Sequence, residues 1–138
     1  MGKMEKVNFK QVIVMRTDLN CRKGKMIAQG SHASSLFILN RIKNDLPFTD
    51  EEKMWMFGLH YSGPEWKFGG MAKICLRVDS EEELLKINGE ARKLNIESHI
   101  VIDSGRTEFN GVPTKTCLAL GPYYSEEIDK ITGHLKLL

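Results

Sequence analysis

The stretch that most constrains this chain is residues 22 to 43, RKGKMIAQGSHASSLFILNRIK. Its spacing predicts one amphipathic helix: at about 100° per residue, Lys25, Gln29, His32, Leu36 and Leu39 fall within about 40° of a common line. The first half of that line is polar and the second half apolar. A face that meets only solvent does not turn into Leu-Leu, and a face that meets only core does not begin Lys-Gln-His. The pattern describes a helix anchored through Leu36 and Leu39, with its N-terminal turns emerging into a cleft. At its start, Arg22, Lys23 and Lys25 oppose the helix macrodipole by about a few tenths of a kcal/mol each. Two readings of that cluster stand: a seat for an anion such as phosphate, and a basic turn splayed into water.

A chain of 138 residues needs only one core, which buries roughly two-thirds of the unfolded surface. Residues 1–9 read as a polar tail and 10–138 as the domain. No run approaches the roughly 18 apolar residues of a membrane span, and MGKMEKVNFK has no apolar h-region, so a cytoplasmic protein without a membrane partner is expected. Cys21, Cys75 and Cys117 form no CxxC or Cys/His cluster, and the four histidines have no ligand spacing, so neither a metal nor another cofactor is expected. Cys75 and Cys117 read as core; Cys21, beside the basic cluster, reads either as structural or as a reactive thiol. Charge is unevenly spread. Residues 1–43 carry nine Lys/Arg against Glu5 and Asp18, a net +7, while the remainder nets −5. One part of the surface is basic and suits a polyanion.

Along the chain, Gln11–Arg16 is a compact β-branched strand leading into the helix. Residues 46–70 hold six aromatics, Phe48, Trp55, Phe57, Tyr61, Trp66 and Phe68, with a short helix expected after a Thr49 N-cap. These rings either fill core and cover a sheet edge, or form a lid or a dimer contact. Met71–Asp79 reads as a strand. Ser80, with Glu83 at the capping-box position, opens a second amphipathic helix. Ser98–Ile102 and Thr114–Leu120 are further strands, the latter closed by Gly121-Pro122, and Ser125 caps a terminal helix that Gly133 ends. Gly30 inside the first helix predicts close approach of a backbone or ligand. The order fits an α/β fold: a three-layer α/β/α domain with a mixed, roughly four-stranded sheet.

Ligands of open α/β sheets gather beyond the carboxyl ends of strands, which places the loop before the basic helix and the loop Asp103–Thr107 along one crevice. Lys25, Gln29 and His32 then face Asp103, Arg106 and Thr107. There is no GxSxG, no P-loop and no Cys/His nucleophile pair. A carboxylate that orients a histidine, with Lys, Gln and Thr as donors to an oxyanion, suits attack of water on an acyl group. The bland reading keeps Asp103-Ser-Gly as a turn and His32 as a structural residue.

Four segments in order, TDLNCRKGKMIAQGSHAS (17–34), DSGRTEF (103–109), TKTCLALGP (114–122) and IDKITGHLKLL (128–138), resemble the class II peptidyl-tRNA hydrolases. That type is common in archaea and eukaryotes and occurs in some bacteria and phages; a bacterial or phage member is expected. The resemblance implies hydrolysis of the ester between a peptide and tRNA. Carried over by motif, Lys25, Gln29, His32, Asp103 and Thr107 are the implied catalytic residues, and Arg22, Lys23, Ser31 and Arg106 the substrate-binding ones. Arg22, Ile27, Gly30 and Ser104 depart from the family's usual Gly, Ala, Cys and Ala, and segment 46–70 is longer than expected. Peptidyl-tRNA is the implied partner and a homodimer is possible. The alternative is a non-catalytic tRNA-binding or protein-interaction module on the same fold.

Overall fold

The computed structural model describes residues 8–58, 61–62, 65–66, 70–106 and 108–138, with backbone alone at 61–62 and 65–66. Its elements are β1 (Phe9–Arg16), α1 (Lys23–Lys43), α2 (Asp50–Phe57), β2 (Tyr61–Ser62), β3 (Glu65–Trp66), β4 (Lys73–Val78), α3 (Glu81–Lys93), β5 (Ser98–Asp103), β6 (Thr114–Tyr124), α4 (Ser125–Thr132) and β7 (Lys136–Leu137). The main sheet has the order β5-β6-β1-β4-β7, and β2 and β3 pair apart from it. Only β1 and β4 run parallel; the other pairs of the main sheet are antiparallel. The expected mixed α/β sheet is therefore present, with the two-residue β7 as a fifth strand.

The unbroken apolar run in β1 follows from its place at the centre of the sheet, where both faces are covered. Val12 and Val14 point to one face and join Leu76, Val78, Leu118 and Leu120 under Leu84, Ile87 and Ala91 of α3 and Ile128 and Ile131 of α4. Ile13 and Met15 point to the other face, where Val101, Cys117 and Ala119 meet Ala33 of α1. The sheet thus lies between helices.

The helix that opened the sequence reading packs along a different line from the one expected. Its buried residues are Gln29, Ala33 and Phe37. Leu36 is half-buried against the sheet, but Leu39 is 55% exposed and anchors nothing. Phe37 takes that role, packed edge-on to Phe48 and Trp55. These two rings fill a core with Phe9 and Met56, and the Trp55 indole donates to the Ala72 carbonyl at 3.1 Å. Phe57 is 56% exposed. The side chains of Tyr61, Trp66 and Phe68 lie outside the described residues.

The caps follow the chain's local chemistry. Thr49 and Glu52 complete a capping box at α2, and the Glu52 carboxylate also takes a two-pronged ion pair from Arg41 of α1, at 2.7 and 2.8 Å. Arg41 reaches Glu97 as well, at 2.7 Å, so one guanidinium fastens the end of α1 to α2 and to the entry of β5. Burial pushes the Glu97 carboxyl up, yet its bonds from His99 and Arg41 prevail and hold it below the usual range. Ser80 caps α3 by accepting from the Glu83 N–H, whereas the Glu83 carboxylate accepts from Asp79 N–H, so only half of the expected box forms. Ser125 is the first residue of α4, not its cap, and β6 runs through Gly121-Pro122 to Tyr124 because Phe9 and Lys10 extend β1 alongside it. A Cβ on Gly30 would meet Met15 and Ile13 at 3.8 and 3.9 Å, ordinary contact, so no close backbone approach requires this glycine.

Candidate active site

β1 and β5 both run antiparallel to β6, so they are parallel to each other and their carboxyl ends share one edge of the fold. The loop entering α1 and the loop leaving β5 meet there, as the strand-end argument requires. The contact is direct. Lys25 Nζ lies 2.8 Å from Asp103 Oδ2, and Gln29 Nε2 donates to the same oxygen at 2.9 Å. Lys25 and Gln29 are four residues apart on α1, one above the other on one flank.

Asp103 is held from its own loop too. The Gly105 N–H donates to Oδ1 at 2.8 Å, closing the Asp-x-Gly turn that the sequence suggests. Glycine is required at this point: φ is +83°, and a Cβ would fall 2.4 Å from the Val112 carbonyl oxygen. Two donors on Oδ2 and one on Oδ1 leave one of the carboxylate's roughly four acceptor directions unused by these bonds. The Lys25 ammonium and the Gly105 N–H hold the Asp103 carboxyl below the usual carboxylate range, and Asp103 in turn raises Lys25. With their side chains 12% and 15% exposed, both groups stay charged while open to solvent on one side. Lys25 also lies 5.7 Å from the centre of the Phe109 ring.

One residue of the site escapes sequence reading. Thr116, 1% exposed, donates its hydroxyl to Gln29 Oε1 at 2.7 Å, and so fixes which end of the Gln29 amide faces Asp103. Strict alternation along TKTCLAL points Thr116 and Cys117 to opposite faces. The register instead skips Thr116: Val101 pairs with Cys117 and Ile102 with Lys115. That extra residue is a β-bulge, which re-aims its side chain toward α1; the Cys117 thiol, on the same side, donates to the Gln29 carbonyl at 3.4 Å. Nothing in the local composition announces a bulge.

The other residues singled out from the sequence divide. His32 is exposed on the same helical line, but Lys25, Gln29 and Gly105 take the described bonds to Asp103, and none joins it to His32. Arg22 and Arg106 are exposed beside the site's two loops. Ser31 donates to Ile27 within its helix and lines a separate groove, as does Lys23. Thr107 lies outside the described residues. Cys21 does not suit a reactive thiolate: burial and the Glu108 carboxylate push its thiol up. Burial pushes Cys117 up to about 11, as befits a core position. Cys75 is exposed, contrary to its reading as core. Among the described residues no group of three or more His, Cys, Asp or Glu is placed to hold a metal, and no helix is long and apolar enough to cross a membrane.

Fold and site together define a three-layer α/β protein whose centre is a positioned carboxylate–lysine pair at the strand ends. Residues 9–138 match the family described as Peptidyl-tRNA hydrolase PTH2. A peptidyl-tRNA hydrolase of Methanocaldococcus jannaschii is 39% identical over 130 residues, covering 94% of this chain and 100% of the relative. One from Methanothermobacter thermautotrophicus is similar to the same degree, at 39% with the same coverage. A probable peptidyl-tRNA hydrolase 2 of Dictyostelium discoideum is 39% identical over 93% of this chain and 54% of its own longer one. In fold alone, the chain resembles a solved Agrobacterium protein of unknown function, with a TM-score of 0.59 at 15% identity, covering 95% of this chain and 98% of that one. The chain belongs to the peptidyl-tRNA hydrolase family PTH2, and the activity that goes with membership is enzymatic hydrolysis of peptidyl-tRNA.

Proposed function

We propose that the ester between peptide and tRNA is cleaved at the Lys25–Asp103 pair, with Asp103 holding the attacking water. The observation that carries this reading is the acceptor count at Asp103: Lys25, Gln29 and Gly105 fix the carboxylate and leave a direction for water. The water oxygen bonds to the acyl carbon, and the tetrahedral oxyanion forms next to the Lys25 ammonium, which is charged before the substrate arrives. The bond to the ribose oxygen then breaks, and the proton lost by the water ends on that oxygen. His32 and Asp103 are the two candidates for carrying it. Thr107 belongs to the same donor set by motif. Thr116 keeps Gln29 in the orientation that serves Asp103.

Arg22 and Arg106 hold phosphates of the acceptor end, so KM rises steeply with salt, and Lys23 meets the substrate from the groove that it lines. The reaction takes place in the cytoplasm. Leu39 and Ile42, three residues apart on α1 and 55% and 67% exposed, support a homodimer through that end of the helix. Sedimentation of Ile42→Glu against the unaltered protein tests it, and identical masses at the monomer value reject it.

The decisive experiment is hydrolysis of N-acetyl-aminoacyl-tRNA by the unaltered protein, Asp103→Asn and His32→Gln. Loss of turnover in Asp103→Asn with tRNA binding retained supports the assignment. Full turnover in both variants defeats it. Binding without cleavage by the unaltered protein would instead favour the non-catalytic tRNA-binding module.

A further inference from the structure

The flank of α1 turned away from Asp103 carries a groove of about 720 Å³ between the helix and the β4 edge. Among the described residues Ile13, Met15 and Cys75 of the sheet, Met26 of α1 and Leu138 line it; Lys23 and Lys73 are the charged side chains of that lining, which has no Asp or Glu side chain. An apolar concavity of this size with a few placed polar groups has the form of a binding site. On α1 the groove residues Lys23, Gly30 and Ser34 lie about 100° or more round the axis from Lys25, Gln29 and His32. One helix therefore lies between groove and site, and the two approach each other at its start, where Met26 of the groove follows Lys25. There Gly24 offers no side chain, and the space a Cβ would enter is open. A helix is about 10–12 Å across, and an extended peptide advances about 3.4 Å per residue. A chain with its ester carbonyl at Asp103 clears the first turn of α1 after about three residues.

We propose that this groove seats the peptide part of the substrate, taking the fourth and later residues counted from the ester. It favours segments that combine apolar with acidic side chains, because Lys23 and Lys73 border an apolar floor and no Asp or Glu side chain is among the described residues that line it. The inference rests on ester hydrolysis at the Asp103 flank and adds to it a preference for length and charge that a site built only for the ester lacks.

Cys75 gives a way to block the groove after folding, since it is exposed while Cys117 is buried. Cys21→Ser protein is assayed before and after alkylation of Cys75 with a bulky maleimide. The substrates are N-acetyl-aminoacyl-tRNA and two acetylated hexapeptidyl-tRNAs, with acidic or basic residues beyond the third. Before alkylation, kcat/KM for the acidic hexapeptide should exceed that for the short substrate by about tenfold, with the basic one between. Alkylation should remove this advantage and leave the short substrate within about twofold of its starting value. Equal slowing of every substrate, absence of any length or charge effect, or a block that changes only the oligomeric state, as expected of a contact between copies, would overturn the inference while leaving the hydrolase reading in place. Failure of the unaltered protein to cleave any of the three would overturn both.

Discussion

The two flanks of α1 are built alike below the surface and differ above it. Each has a buried glutamine. On one flank Gln29 of the helix, 3% exposed, joins Thr116 to Asp103. Toward the other, Gln11 of β1 is fully buried, accepts from the Ser34 hydroxyl at 2.6 Å and donates to the Ser34 carbonyl at 3.2 Å. The first pairing ends in a carboxylate open to solvent and the second closes on itself. A buried amide is thus a structural pin in both places, and becomes part of a chemical site only where its hydrogen bonds lead outward to a charged group.

Six substitutions separate these roles. Asp103→Asn and Lys25→Met should each lower kcat by about 10²–10³, because the positioned charge is removed while the fold keeps its core; single-turnover cleavage measures it. Phe37→Ala, at the shared anchor of both flanks, should cost about 3–5 kcal/mol in denaturant unfolding. Gln29→Leu and Gln11→Leu should each lose about 1–3 kcal/mol, since each leaves a partner hydroxyl unpaired. Only Gln29→Leu should also slow cleavage of N-acetyl-aminoacyl-tRNA, and equal rates in the two variants would break the comparison. Ile27→Lys, at a side chain 70% exposed, should change stability by no more than about 0.5 kcal/mol.

The pH profile sharpens the polar flank. Asp103 is held below its ordinary value and Lys25 above its own. The carboxylate's contribution to stability is complete above its unfolded value of about 3.9 and is lost as pH falls through the lower folded value. That of the lysine is complete below about 10.4 and is lost as pH rises through the higher folded value. The pair is therefore charged on both sides throughout the neutral range. A decline in cleavage rate on acidification near neutrality cannot then be the titration of Asp103. If that decline disappears in His32→Gln, His32 carries the proton; a flat profile down to the carboxylate range assigns it to Asp103.

What the sequence made legible depended on range. Lys25 and Gln29 are four apart on a helix, and Asp103 ends a strand whose direction follows from the order of elements, so the three converge by periodicity and topology alone. Thr49 and Ser80 declare their caps because capping acts over three residues. The anchor is not legible in this way: the line through Leu36 and Leu39 suggests one buried stripe, whereas the wider aromatic cluster of Phe48 and Trp55 draws Phe37 inward. Thr116 stays hidden in the sequence because a bulge is a property of two strands together. The sequence suggests that Asp103 orients His32, but its carboxylate is held by Lys25 and Gln29, a preference that depends on distances between side chains.

The extra residue in β6 also has a consequence for the spacing of the chain. It sets the phase between two halves of a strand, one carrying the core and the other leading back to the Asp103 loop. Deleting Lys115 would leave every functional residue in the chain and nearly all of its composition intact. Yet it would let the ladder close without the irregularity and carry the Thr116 hydroxyl away from Gln29. In this segment residue count is as much a determinant of activity as residue identity, and single-residue insertions or deletions should be tolerated less well here than most substitutions.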